Sequence, residues 1–83
     1  MGEISTVISD FIVTQIMHGS VGDKLTNDRL LLEEGILDSL GLQQLITFLE
    51  VKYNILIDDE YLMPEYFTSV GTISELVQSI LDQ

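Results

Sequence analysis

The chain has 83 residues, of which 46% are hydrophobic, and its 3 Lys and Arg residues against 14 Asp and Glu residues give a formal net charge of −11. A length of this order predicts one domain, spanning residues 1–83. The charge repels phosphate backbones, which argues against nucleic-acid binding, and it favours basic protein partners. The absence of cysteine excludes disulfides and thiolate metal sites, and the single histidine, His18, excludes a histidine metal cluster.

The N-terminus shows no signal peptide, because no cationic stretch is followed there by an apolar one. No apolar run has the length needed to span a bilayer. We expect a cytoplasmic protein without membrane insertion, and a monomer.

Apolar residues at helical spacing predict a first helix with one buried face, formed by Ile4, Val7, Ile8, Phe11 and Ile12. Gly19, just past the last apolar turn, predicts the end of this helix. His18 lies close to that end, where the partial negative charge of the helix C-terminus interacts favourably with a histidine side chain. We therefore assign His18 a structural role rather than a catalytic one.

A long connection follows over residues 19–38, and it is rich in leucine and isoleucine. Structureless loops of this length are uncommon in compact domains. The apolar residues predict an ordered loop that wraps the helices and buries its leucines in the core.

A second helix is predicted from Ser39 to about Lys52, with an apolar stripe of Leu42, Leu45, Ile46 and Leu49. Asp38 is a suitable N-cap residue, since its carboxylate can accept a hydrogen bond from a free N–H of the first turn. Gly41 is less favourable than alanine in a helix by roughly 1 kcal/mol. Its presence indicates either fraying or a close approach of another segment.

After this helix, Ile55, Leu56 and Ile57 have strand propensity but no convincing partner strand, so we predict an extended, packed loop. Pro64 suits the first turn of a short helix over residues 65–68. Thr72 and Glu75 have the spacing of a capping box, which predicts the start of a last helix. The expected fold is all-α, with three main helices and one short helix around one aliphatic core.

Ser39 is the residue with the clearest chemical potential. It follows the acidic loop residues Glu33 and Glu34 and opens an amphipathic helix, whose N-terminal N–H groups favour a phosphate. The neighbouring carboxylate of Asp38 could help an enzyme to hold a divalent cation on a phosphate donor. The residues alone also allow a simpler interpretation, in which Asp38 and Ser39 only cap the helix.

The segment Asp38-Ser39-Leu40 at a helix start, with Leu45-Ile46 and Leu49-Glu50 after it, resembles the signature of the acyl carrier protein family. The downstream segments 53–60 and 67–73, the latter with Phe67, Ser69, Val70 and Ile73, resemble the same family. The resemblance covers about residues 4 to 81. It implies an antiparallel four-helix bundle without intrinsic catalysis.

The same resemblance implies that Ser39 is the attachment site of a covalent 4′-phosphopantetheine arm. A phosphopantetheinyl transferase would add the arm from coenzyme A with magnesium. An adenylating ligase or an acyltransferase would then load it, and synthases or condensing enzymes would receive the cargo. Family analogy places partner contacts at Leu37, Asp38 and Leu40, and it implies no catalytic residue and no protein metal site.

The second helix differs from that of carriers in fatty acid synthesis, which resemble one another in having several acids there. Here Gln43, Gln44 and Thr47 occupy the region, and acids lie in the loops, as at residues 58–60. The segments 35–42 and 62–67 are also more similar to stand-alone carriers of amino acids or small hydroxy acids. We predict secondary metabolism of the nonribosomal peptide or polyketide type, with a fatty-acid or D-alanyl carrier as the alternative.

Two other classes of function compete with the carrier hypothesis. An unmodified acidic interaction module with a carrier-like fold would need only the loop acids and an exposed Leu40. A calcium-binding protein is disfavoured, because the acids lack the spacing of an EF-hand loop.

Overall fold

The computed structural model describes residues 2–19, 25–26 and 28–83. Its helices are α1 (Gly2–Phe11), α2 (Ser39–Tyr53) and α3 (Val70–Leu81), with short 3₁₀ helices at Asp59–Tyr61 and Pro64–Phe67. These described ranges contain no β-strand, which confirms the predicted all-α class. None of their helices is long and apolar enough to cross a membrane.

The first helix ends in a π-helical segment, Ile12–Ile16, which the sequence pattern did not predict. Here the N–H of Met17 donates to the carbonyl of Ile12 at 2.8 Å. The chain then leaves the helix at His18, which has a left-handed φ of 57°. The predicted helix end is therefore close to its observed place, but His18 rather than Gly19 takes the left-handed conformation.

The second helix has the predicted beginning and extends one residue beyond the predicted end. Asn54 closes it in the left-handed conformation, with a φ of 53°. The carboxylate of Glu50 accepts a hydrogen bond from the N–H of Ile57 at 2.9 Å. This bond holds residues 55–57 against the helix as the predicted extended loop, with the side chain of Ile57 buried.

The last helix begins earlier than its predicted capping box. Ser69, rather than Thr72, is the N-cap, and its hydroxyl accepts from the N–H of Thr72 at 3.3 Å. The Thr72 hydroxyl oxygen accepts from the N–H of Ser69 at 3.0 Å, which completes a capping box. The predicted box from Thr72 to Glu75 was wrong, because the Thr72 side chain is already engaged by Ser69.

The core forms one cluster of side chains from α1 and its π-helical end, α2, α3, the 3₁₀ helix Pro64–Phe67 and the connection before α2, and the partly buried Tyr61 packs against it. Its fully buried large side chains are Ile8, Ile12, Leu31, Leu45, Leu49, Phe67, Val70, Ile73 and Val77. Phe11 stacks on Phe48 with ring centroids 4.3 Å apart, which joins α1 to α2. Burial of each such side chain contributes roughly 1.5–3 kcal/mol relative to its exposure.

Tyr53 is the last residue of α2 and is partly buried. Its hydroxyl is buried and has no hydrogen-bond partner among the described residues. Desolvation raises the pKa of Tyr53, and the negative charge of Glu3 in the first turn of α1 raises it further. The phenol therefore remains neutral across the physiological range, since ionisation would place a second negative charge beside Glu3.

Replacement of Ser69 by alanine should remove the N-cap of α3. We expect Ser69→Ala to lower the free energy of unfolding by about 1 kcal/mol, because the N–H of Thr72 loses its acceptor. The matched variant Ser79→Ala changes an exposed residue of the same helix and should change stability by less than about 0.5 kcal/mol. Urea titrations followed by circular dichroism measure both, and equal losses would contradict the cap assignment.

Candidate functional site

Ser39 is the first residue of α2, and its side chain is exposed. The residue before it, Asp38, has an extended backbone and is the N-cap. One carboxylate oxygen of Asp38 accepts a hydrogen bond from the N–H of Gly41 at 2.7 Å. The predicted cap is thus confirmed for Asp38, and this bond leaves the Ser39 hydroxyl outside the cap.

Gly41 is the point at which α2 meets the end of the first helix. A Cβ atom there would lie 3.3 Å from Oδ1 of Asp38 and 3.5 Å from Cγ2 of Ile16. Of the two predicted reasons for this glycine, the structure therefore supports close approach. The first turn of α2 is thereby packed, while Ser39 on the same turn stays open to solvent.

The loop before Ser39 is fixed by the backbone of Leu31. The N–H of Leu31 donates to the carbonyl of Thr68 at 2.8 Å, and the Leu31 carbonyl accepts from Ile36 at 2.9 Å and from Leu37 at 3.1 Å. The side chains of Leu31 and Leu37 are buried in the core. These contacts tie the approach to α2 to the segment that precedes α3.

The predicted partner contacts differ in exposure. Leu40 is 64% exposed, and Asp38 is also exposed, so both side chains are available to a partner. Leu37 is 2% exposed, which contradicts its prediction as a partner contact. Its side chain instead packs in the core, and its backbone N–H donates to the carbonyl of Leu31.

An open groove of about 290 Å³ lies beside Ser39. Leu37 and Leu42 line it, together with Leu62, Met63 and Pro64 from the segment between the two 3₁₀ helices. Leu62 and Met63 were not predicted to belong to this site. Their sequence position could have indicated this role, because they are two apolar residues directly before Pro64 that belong to the apolar stripe of no predicted helix.

A second depression of about 290 Å³ lies on the other side of the same helix start. It brings His18 and Gln15 from the end of the first helix next to Asp38, Leu40 and Gln44. His18 thus lies near the candidate site as well as at a helix end. Its structural role remains a prediction.

The solvent face of α2 carries little charge. Gln43, Gln44 and Thr47 are exposed and neutral, while the carboxylate of Glu50 is engaged by the N–H of Ile57. Negative charge lies instead in the exposed loops, where Glu34 pairs with Arg29 at 2.8 Å. Because both partners are well exposed, this pair contributes little stability.

Comparison with known proteins gives a similarity over nearly the whole chain. No family model matches the sequence. The chain is 36% identical over 78 residues to a protein of Buchnera aphidicola subsp. Baizongia pistaciae (strain Bp) named "Acyl carrier protein". The aligned region covers 94% of this chain and 95% of that relative.

Leu37 and Leu40 provide a matched test of the geometry around Ser39. Leu37→Ala should lower the free energy of unfolding by about 2–5 kcal/mol, because it opens a cavity under the loop. Leu40→Ala should change it by less than about 0.5 kcal/mol, since the side chain is exposed. Chemical denaturation measures both variants, and a larger loss for Leu40→Ala than for Leu37→Ala would contradict the described placement.

Proposed function

The chain belongs to the acyl carrier protein family, and on that basis we propose that Ser39 carries a 4′-phosphopantetheine arm to which acyl or aminoacyl intermediates are bound. Proteins of this family are carriers without catalytic activity of their own. The observation that carries the assignment to Ser39 is its exposed position at the start of α2, beside an open groove.

A comparison of Ser39 with Ser69, the serine at the start of α3, supports the assignment of the arm to Ser39. Ser69 is 7% exposed, and its hydroxyl is used in the capping box of α3. At α2 the cap is supplied by Asp38, so Ser39 is free of that task. A capping role therefore accounts for Ser69 and does not account for Ser39.

The proposed modification is a transfer of a phosphoryl-linked group to the Ser39 hydroxyl. The Ser39 oxygen attacks the phosphorus of coenzyme A that bears the pantetheine, and a new oxygen–phosphorus bond forms. The pyrophosphate bond breaks, adenosine 3′,5′-bisphosphate leaves, and the serine proton passes to a base of the transferase. Free N–H groups of the first turn of α2 favour the phosphate at this position.

The residues around Ser39 fit such an arm. The groove that begins at Ser39 is lined mainly by apolar side chains, and Leu62 and Met63 on its rim are exposed. The exposed carboxylate of Asp38 is positioned to help the transferase hold its magnesium ion. When attached, the arm supplies the thiol that this cysteine-free chain lacks and that holds the cargo as a thioester.

We further propose that the carrier serves a pathway of the nonribosomal peptide or polyketide type. The support is the neutral face of α2, at Gln43, Gln44 and Thr47, which suits partners that do not depend on acids there. Its partners would be a phosphopantetheinyl transferase, an adenylating ligase or acyltransferase, and a synthase or condensing enzyme. The alternative is a fatty-acid or D-alanyl carrier. Assays that measure which acyl or aminoacyl group is loaded onto the arm distinguish the two.

Modification of Ser39 can be tested directly in vitro. After incubation with coenzyme A, magnesium and a broad-specificity phosphopantetheinyl transferase, the intact mass should rise by one phosphopantetheinyl group. Ser39→Ala should show no gain, whereas the exposed serine variant Ser79→Ala should gain as much as the unaltered protein. An unmodified parent protein, or a gain in Ser39→Ala, would contradict the proposal and favour an unmodified interaction module.

The site of the cargo gives a second test. Small polar cargo gains little from an apolar interior, because its polar groups would be buried without partners. On loading with an aminoacyl group, we expect NMR shifts at the groove residues Leu42, Leu62 and Met63 and none at the methyl groups of Leu45 and Leu49. Shifts centred on Leu45 and Leu49, which are fully buried, would show that the cargo enters the core.

A further inference from the structure

A third depression, of about 350 Å³, lies away from Ser39 between the 3₁₀ helices and α3. Its lining includes two aromatic rings, Tyr61 and Tyr66, and two carboxylates, Glu65 and Glu75. Leu76 adds an apolar side chain from α3. No part of the proposed attachment of the arm uses these residues.

The two tyrosine rings form a preorganised pair. Their centroids are 5.6 Å apart with an interplanar angle of 79°, an edge-to-face arrangement. Both residues are partly buried, which restricts the positions of the rings. The face of an aromatic ring is electron-rich and attracts cations, and the attraction strengthens where water is partly excluded.

The two carboxylates add charge to the same depression. Glu65 and Glu75 are exposed, and neither forms a salt bridge within the described residues, where Arg29 pairs with Glu34 instead. The depression therefore combines two aromatic rings with two carboxylates that have no described cationic partner. This combination is complementary to an organic cation.

We propose that this depression, the tyrosine–glutamate pocket, binds the guanidinium group of an arginine side chain on a partner protein. A guanidinium is planar and weakly hydrated, so it can stack on a tyrosine ring while its N–H groups donate to carboxylates. A divalent metal ion fits less well, because the described residues contain no group of three or more histidine, cysteine, aspartate or glutamate side chains that could hold one. The net charge of −11 further favours a basic partner.

The tyrosine–glutamate pocket and the groove beside Ser39 are lined by neighbouring residues of one short segment. Residues 62–64 line the groove beside Ser39, and Tyr61 and Glu65, on either side of this segment, line the tyrosine–glutamate pocket. One partner surface can thus cover both depressions across this short segment. The pocket would then orient a partner while Ser39 faces its active site.

The test uses the full chain with the Ser39→Ala substitution, so that its outcome is independent of the arm. NMR titration with Nα-acetyl-arginine amide should shift the ring signals of Tyr61 and Tyr66 and the amide of Glu75. Acetyl-citrulline amide, which has nearly the same shape without charge, should give no such shifts. Equal shifts with the citrulline compound, or shifts spread evenly over the acidic loops, would overturn the proposal.

Matched variants separate this pocket from general charge attraction. Glu75→Gln should weaken binding of Nα-acetyl-arginine amide about threefold or more. A loss of this size is expected when one charge contact or one cation–aromatic contact is removed. Glu33→Gln removes one charge from the exposed connection before α2, outside the lining of the pocket, and should leave binding within about a factor of 1.5, because solvent screens exposed charges that do not contact the ligand. Equal weakening by both variants would overturn the assignment.

The aromatic contribution has its own pair of variants. Tyr66→Phe keeps the ring and should retain binding, whereas Tyr66→Leu should weaken it about threefold, since the ring face is lost. Circular dichroism confirms that each variant is folded before titration. Tighter binding of free arginine than of the capped amide would overturn the assignment to a protein side chain.

Discussion

The backbone of Leu31 is the constraint on which the rest of the site depends. It links the loop before α2 to the segment before α3 through one bond to Thr68 and two bonds from Ile36 and Leu37. With Leu31 and Leu37 buried beneath them, these bonds fix where the chain emerges from the core. Asp38 then caps α2, and Ser39 is held at the surface on a rigid helix start instead of a mobile loop.

The features of the site that could be predicted from the sequence are those set by local chemistry. The Asp38 cap and the start of α2 follow from the preference of carboxylates for helix N-termini. The exposure of Leu40 follows from its position outside the apolar stripe of α2, and the extended loop at residues 55–57 follows from the lack of a partner strand. Each depends on a few neighbouring residues, so the pattern alone is sufficient.

The features that could not be predicted depend on contacts between distant segments. Leu37 was expected both as a core leucine of the connection and as a partner contact, and its burial supports only the first. Its backbone N–H donates to Leu31, which is itself bonded to Thr68, far along the chain. The start of α3 was misplaced because two capping boxes overlap at Thr72 and only the structure shows that Ser69 engages it. The groove residues Leu62 and Met63 reach Ser39 through tertiary packing, which has no periodic signal in the sequence.

The most direct test of the carrier assignment is site-resolved mass spectrometry of the protein isolated from growing cells. Trypsin cleaves after Arg29 and Lys52, and the peptide of residues 30–52 contains Ser39 as its single serine. We expect this peptide to carry phosphopantetheine, and we expect fragmentation to locate the group on Ser39. An unmodified peptide throughout growth, or a modification on Thr47 of the same peptide, would contradict the account.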